Sequence, residues 1–363
     1  MWSAWASGSI YRFMSINQTP GERRVFRLIR QRPGISRVEL AGVAALSTGT
    51  VTQIVKRLRD RGLADEGAVS EARAVGRNRV GLRACLEPDR MVGISVRPDL
   101  IRYVVVDWSG AVREERTIAA SHLVDQGPVI DRIGQVLADQ RGTLRGVGLG
   151  IPAFPAVLRD QAYGWAENFR RALEVPVTVL NNGAAAAVAE EWRWVEEPPE
   201  RFLLVYFGSG IGGALVHRRR LGRPPSVHPV EIGHVGISLQ GMRCLCGNVG
   251  CVETVAGPAG LARRWEGLDS AQERAALIDN AEEVLIYALS SVINVLQVEQ
   301  IVLGGLNASV LERFYGTLIR RLSRLSTPRG ASVKPRLSQI GDYSAAIGAA
   351  LAAIDGVPDL EAV

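Results

Sequence analysis

The stretch "GHVGISLQGMRCLCGNVGCVE", residues 233–253, holds one histidine and three cysteines in a chain that has only four residues of each type. His234, Cys244, Cys246 and Cys251 follow the spacing H-x9-C-x-C-x4-C. Three thiolates and an imidazole complete a tetrahedral zinc shell of the closed kind, which leaves no position for water or substrate. Glycines at 241, 247 and 250 allow the short connection to fold tightly around one ion. A structural Zn2+ is the expectation; inert thiols that happen to cluster are the alternative. Cys85 stands alone and reads as an ordinary buried residue.

A different chemistry is suggested near the front of the chain. Ser47 precedes "TGTVTQIVKRLRDRGL", in which Val51, Ile54, Val55 and Leu58 recur at helical spacing and Gly62 supplies a C-terminal stop. The opposite side of that helix carries Thr48, Thr50, Thr52, Gln53, Lys56 and Arg57. Short hydroxyls and an amide near a helix start, followed by cations, suit entry into a DNA major groove: the former reach base edges, the latter phosphates. Two helices position this one. "GERRVFRLIRQR" is stopped by Pro33-Gly34, and "ISRVELAGVAAL" opens with Ser36 and Glu39 at capping-box spacing. The following residues read as two short strands around a loop with Arg73, Arg77 and Arg79, the pattern of a basic wing that presses into a minor groove. The whole is a winged helix-turn-helix; a three-helix protein-interaction domain with a solvated polar face is the competing reading.

The charge distribution favours the first of these. Residues 1–90 carry 16 Lys+Arg against 8 Asp+Glu, a net +8, whereas the remainder carries 27 against 29, a net −2. Arginine far outnumbers lysine, of which there are only Lys56 and Lys334, but a general arginine bias would not confine the excess to one quarter of the chain. No apolar run approaches the roughly 18 residues of a membrane span. The opening "MWSAWASGSIYRFMSINQTPGERR" lacks a basic region ahead of an apolar core, so residues 1–20 read as a mobile arm, with Met14 an alternative start. The expected compartment is the reducing cytoplasm, where clustered thiols serve metals more often than disulfides.

At 363 residues the chain exceeds one compact core. After a tract near Glu87–Asp89, "MVGISVRPDLIRYVVVDWSGAVREERTIA" reads as strands and a hairpin. A helix, the strand "LRGVGLGIP", a helix around Phe169–Leu173 and the strand "VPVTVLNNG" follow. Residues 202–216 form a hairpin with a glycine-rich turn. A long helix over Ala271–Leu296 precedes the strand "QIVLGGL", and "YSAAIGAALAAI" closes the chain as a core helix. The expected divisions are a winged helix over 21–86, a first α/β lobe over 87–186 with 343–363, and a second lobe with the metal motif over 187–342.

"GSGIGGALV", "VEIGHVGI", "CLCGNVGCVE", "IVLGGL" and "AAIGAALAA" occur in an order and spacing that resembles the ROK family of repressors, open reading frames and sugar kinases. The winged helix in front makes the chain similar to the repressor branch. The resemblance implies an α/β, actin-like, ribonuclease-H-like body of two lobes with ligand in the cleft. It also implies that Asn181, Asn182, Glu231, His234 and Glu253 contact a sugar or sugar phosphate, the zinc fixing the loop that presents the last two.

Two departures argue against phosphoryl transfer. Where family kinases place the Asp of an Asn-Asp pair as base, this chain has Asn182, which cannot accept a proton at neutral pH. Where they place a D-x-G-x-T loop, it has "GISVRPD", with Ser95 for the acid and Arg97-Pro98 for glycine. The segment between Pro152 and Pro176 is also shorter than in the family. The expectation is therefore a non-catalytic homodimeric or homotetrameric repressor that binds a palindromic operator in double-stranded DNA and senses a sugar. A ROK sugar kinase with an accessory DNA-binding domain, and a regulator controlled by a protein partner, remain the alternatives.

Overall fold

The structure, a computed structural model, describes residues 20–60, 62–68, 80–85, 89–107, 110–119, 127–138, 143–152, 156–194, 199–217, 226–298, 300–305, 316, 318–325 and 332–355. The arm expected before Pro20 and the wing arginines Arg73, Arg77 and Arg79 lie outside them. The chain divides into two compact units, which part between Pro88 and Asp89.

In the front unit α1 (Pro20–Gln31), α2 (Arg37–Ala44) and α3 (Thr48–Asp60) enclose Val25, Ile29, Leu40, Val51, Ile54, Val55 and Leu58, all buried. Gly34, at φ 91°, turns the chain out of α1. α2 begins with the expected capping box: Ser36 Oγ accepts from the Glu39 amide, and the Glu39 carboxylate accepts from the Ser36 amide. The axis bends by 111° between α2 and α3, inside the ~90–120° span of helix-turn-helix pairs. β1 (Ala64–Ala68) and β2 (Val80–Ala84) pair antiparallel, and Ile35 bridges to Leu82 as a third strand fragment. Cys85, just past the paired residues of β2, is exposed. It is therefore no core residue: its amide still donates to the Leu63 carbonyl at 3.1 Å, but strand alternation puts its side chain on the same outward side as the exposed Arg83.

The body repeats one topology twice. β3 (Arg90–Val96), β4 (Leu100–Asp107) and β5 (Val112–Ala119) form an antiparallel meander, with β6 (Leu144–Ile151) and β7 (Val177–Asn181) added in parallel beside β3, giving the order β5-β4-β3-β6-β7. β8 (Arg201–Phe207), β9 (Ile211–His217) and β10 (Ser226–Pro229), with β11 (Gln300–Gly304) and β12 (Lys334–Leu337), give β10-β9-β8-β11-β12. Each sheet is thus a meander whose first strand starts a parallel run, the repeat of an actin-like, ribonuclease-H-like fold.

Helices cover both faces of the first sheet. α4 (Gly127–Ala138) and α5 (Ala156–Leu173) cover its outer face. α5 starts well before the helix expected around Phe169. Trp165, Ala166, Phe169 and Leu173, one apolar stripe, all pack on the sheet and draw the earlier turns into the helix. α6 (Asn182–Arg193) and the last helix, α10 (Ser344–Asp355), fill the space between the sheets with alanines. They approach to backbone contact: a methyl group added at Gly148 would stand 1.9 Å from the Ala349 carbonyl oxygen, and one at Gly348 1.6 Å from that of Ala185. The second sheet is covered by α7 (Val252–Ala256) and α9 (Ala271–Leu296), with α8 (Pro258–Glu266) between these two in the chain. Among the described residues no single helix is long and apolar enough to cross a membrane.

Candidate nucleic-acid interface, metal centre and cleft

α3 separates its residues cleanly by polarity. Val51, Ile54, Val55 and Leu58 are buried, while Ser47, Thr48, Thr50, Thr52, Gln53, Lys56 and Arg57 are all exposed, as the sequence predicts. Ser47 caps the helix by accepting from the Thr50 amide at 3.1 Å. Thr52 donates back to the Thr48 carbonyl at 2.8 Å, so its hydroxyl is partly spent on its own helix. Lys56 and Arg57 follow one turn after Gln53. Sequence reasoning missed two carboxylates that hold this face in place. Glu22 of α1 accepts from Arg57 Nε. Glu66 of β1 pairs with Arg59 of α3 at 3.0 Å and with Arg37 of α2.

His234 and the three cysteines converge. Their ligand atoms all lie within 4.8 Å of one another, with His234 Nδ1 3.4 Å from Cys244 Sγ and Cys246 Sγ 3.7 Å from Cys251 Sγ. A tetrahedral ion with bonds of about 2.3 Å to sulfur and 2.0 Å to nitrogen sets its ligand atoms about 3.5–3.8 Å apart, so the donors fit zinc in kind and in spacing. The loop is shaped for this. Gly247 and Gly250 sit at φ 93° and 69°, and a methyl group at Gly250 would lie 1.9 Å from the Ser238 carbonyl oxygen. Short backbone bonds, Cys244 N–H to Asn248 O at 2.8 Å and Gly250 N–H to Met242 O at 2.9 Å, close it. Burial and then the neighbouring thiols push Cys251 up to about 12, and burial lowers the His234 imidazole, which keeps it neutral. Among the described residues this is the one His, Cys and carboxylate group compact enough to hold a metal.

The metal loop borders three of the residues expected to meet a sugar. His234 lies in a 3-10 turn, Ile232–His234, that follows Glu231, and Glu253 lies in the first turn of α7, two residues after Cys251. The Val252 amide donates to the Val235 carbonyl at 3.0 Å and ties these two segments. Glu253 accepts from the Ile211 amide at 2.6 Å, which anchors it to the glycine-rich β8–β9 turn. Burial raises the Glu253 carboxyl, opposed by that bond, and desolvation raises Glu231 although the residue is exposed.

Asn181 and Asn182 both make hydrogen bonds within the body. The Asn181 side chain caps α6, accepting from Gly183 N–H at 2.7 Å and Ala184 N–H at 3.3 Å. Asn182 is buried, with its amide engaged at both ends: Ser95 Oγ donates to Oδ1 and Nδ2 donates to the Val96 carbonyl, each at 2.9 Å. Asn182 thus forms an internal tie between α6 and β3. Its cause is the serine at 95, which gives the amide a buried partner. Beyond the same strand, Arg97 pairs with Asp99 at 3.2 Å across the β3–β4 turn.

A winged helix-turn-helix ahead of a duplicated, actin-like body with a Cys3His loop defines the class of protein. Residues 91–355 match the model of the ROK family, and residues 22–64 that of a winged helix-turn-helix DNA-binding domain. The chain belongs to the ROK family. It is 25% identical over 249 residues to a glucokinase of Halalkalibacterium halodurans, covering 57% of this chain and 76% of that one. It is 26% identical over 258 residues to the DNA-binding transcriptional dual regulator NagC of Escherichia coli, covering 66% of this chain and 63% of NagC, just under two thirds of its length. In fold it is similar to the crystal structure of a ROK family transcriptional regulator, a homologue of the E. coli Mlc protein. That match has a TM-score of 0.68 at 22% identity and covers 96% of this chain and 98% of the other.

Proposed function

We propose that the protein is a DNA-binding transcriptional regulator, a repressor, in which the winged helix grips an operator and the ROK body senses rather than phosphorylates. The observation that carries this reading is the exposed face of α3, where Thr48, Thr50, Gln53, Lys56 and Arg57 face solvent opposite a fully apolar buried face. Hydroxyls and an amide there read base edges and the two cations meet phosphates. The wing arginines Arg73, Arg77 and Arg79 add minor-groove contacts, and a homodimer or homotetramer working in the cytoplasm sets two such helices on a palindromic site. Titration of the purified protein with duplex DNA tests this: affinity falls with salt at a log–log slope of about 0.9 per phosphate neutralised. Binding to no duplex at any ionic strength removes the reading.

Four features support a structural Zn2+ held by His234, Cys244, Cys246 and Cys251: the donor set, its spacing, the closed loop and the neutral imidazole. When bound, the ion supplies charge that keeps crowded thiolates together and so fixes the loop. His234 and Glu253 are thereby positioned at the cleft, where with Glu231 and Asn181 they offer hydroxyl-binding chemistry for a sugar or sugar phosphate. The engagement of Asn182 with Ser95 and Val96 supports the absence of catalysis, because the residue at the base position has neither proton affinity nor an open approach. Sugar-dependent ADP release is expected to stay at background; turnover above it overturns this part of the reading.

A further inference from the structure

We propose that Glu22 is a positioning residue for DNA binding, holding the Arg57 guanidinium in place on the recognition face before a phosphate arrives. This deepens the DNA-binding reading and rests on it. Glu22 lies in the first turn of α1, and its side chain keeps only 5% of its surface exposed. A carboxylate so far removed from water is costly unless paired, and one of its partners is Arg57 Nε. Arg57 donates through that inner nitrogen while 49% of its side chain stays in solvent. Thr50, Gln53 and Arg57 fall at i, i+3 and i+7 of α3, a single stripe of the helix. Arg57 therefore closes the stripe whose earlier members face the bases. An unrestrained arginine loses rotamer freedom when it meets a phosphate; one already held by a buried acid has lost it on folding.

The consequence runs against simple electrostatics. Removing a negative charge from a face that binds a polyanion strengthens binding through space, whereas removing a positioning carboxylate weakens it. The test is fluorescence anisotropy of the full chain with a random-sequence duplex at low salt, comparing wild type, Glu22→Gln, Arg57→Gln, the double variant and Asp60→Asn. Asp60, exposed at the end of the same helix, controls for charge alone. Glu22→Gln is expected to weaken binding about three- to tenfold, the cost of immobilising one long side chain. Asp60→Asn is expected to bind as tightly as wild type or tighter, and Glu22→Gln to cause no further loss once Arg57 is Gln. Unchanged or tighter binding by Glu22→Gln, or a loss that persists beside Arg57→Gln, overturns the proposal. Should Glu22→Gln not fold, Arg57→Lys decides: it keeps the charge but has no Nε fork, so it loses affinity if the proposal holds and retains it if not. A wild type that binds no duplex sinks the parent reading instead, which is a separate outcome.

Discussion

α3 and α6 start alike: a polar side chain, Ser47 in one and Asn181 in the other, accepts from a first-turn amide. Their surroundings then part them. Beyond Ser47, every hydroxyl and amide up to Gln53 lies in solvent, while beyond Asn181 every residue from Asn182 to Trp192 is buried. In α3 the polar side chains face an outside partner even where Thr50 and Thr52 also bond within the helix, whereas in α6 the Asn182 amide is used up internally. A polar residue at a helix start is thus a recognition element only where no neighbouring strand has claimed it first.

The largest effect that bears on this comparison concerns the metal loop of the body. Cys246→Ser is expected to release close to one zinc per chain, measured by a colorimetric metal assay. It should destabilise the body by at least ~3 kcal/mol, because a structural metal's binding energy is folding energy. The front unit keeps its DNA affinity only if the two regions work independently in binding. Next, Gln53, Lys56 and Arg57 replaced together by Ala should weaken duplex binding about a hundredfold and lower the salt slope by about 1.8, from two lost cations. Asn182→Ala should leave both quantities unchanged; if it does not, the contrast between the helices is wrong.

Asn182→Asp probes the buried side directly. The new carboxylate still accepts from Ser95 but sets an oxygen against the Val96 carbonyl, at a cost of about 1–3 kcal/mol at neutral pH. Burial and that carbonyl raise its folded pKa above the unfolded value of about 3.9. Stability is then greatest below about pH 4 and is lost as pH rises through the raised folded value. Urea melts at several pH values measure this, and no sugar phosphorylation should appear, since Ser95 and Arg97 still stand where a kinase needs an acid and a glycine. The smallest effects are those of the caps: Ser47→Ala and Asn181→Ala should each cost about 1 kcal/mol. Only the first should also weaken DNA binding.

Much of the fold was legible because its signals are local. Ser36 and Glu39 mark a helix start within four residues, Gly62 marks a stop, and the H-x9-C-x-C-x4-C spacing brings its own ligands together. Ala271–Leu296 matches its helix residue for residue, since a capping residue and a long periodic run bound it. What escaped was non-local. Glu22 and Arg57 are 35 residues apart and Ser95 and Asn182 are 87 apart, and no periodicity links either pair. The exposure of Cys85 has the same kind of cause: cysteine tends towards interiors, but which side of β2 faces the core is set by packing from elsewhere in the chain, and Cys85 shares the outward side with Arg83. The α5 boundary moved because packing on the sheet outweighed weak local signals in its first turns.

The bare glycine backbones of β3 and β6 await a helix that is synthesised after every other described element. A methyl group at Gly93 would stand 1.8 Å from the Ala346 carbonyl oxygen, and the alanine face of α6 also rests on that last helix. On the ribosome the front unit has all its α-helical parts available early and can mature during translation. The body has to wait, exposing two half-covered sheets until its final turns emerge. Nascent chains stalled before Ser344 should therefore carry a finished reading head on an unfinished, aggregation-prone trunk.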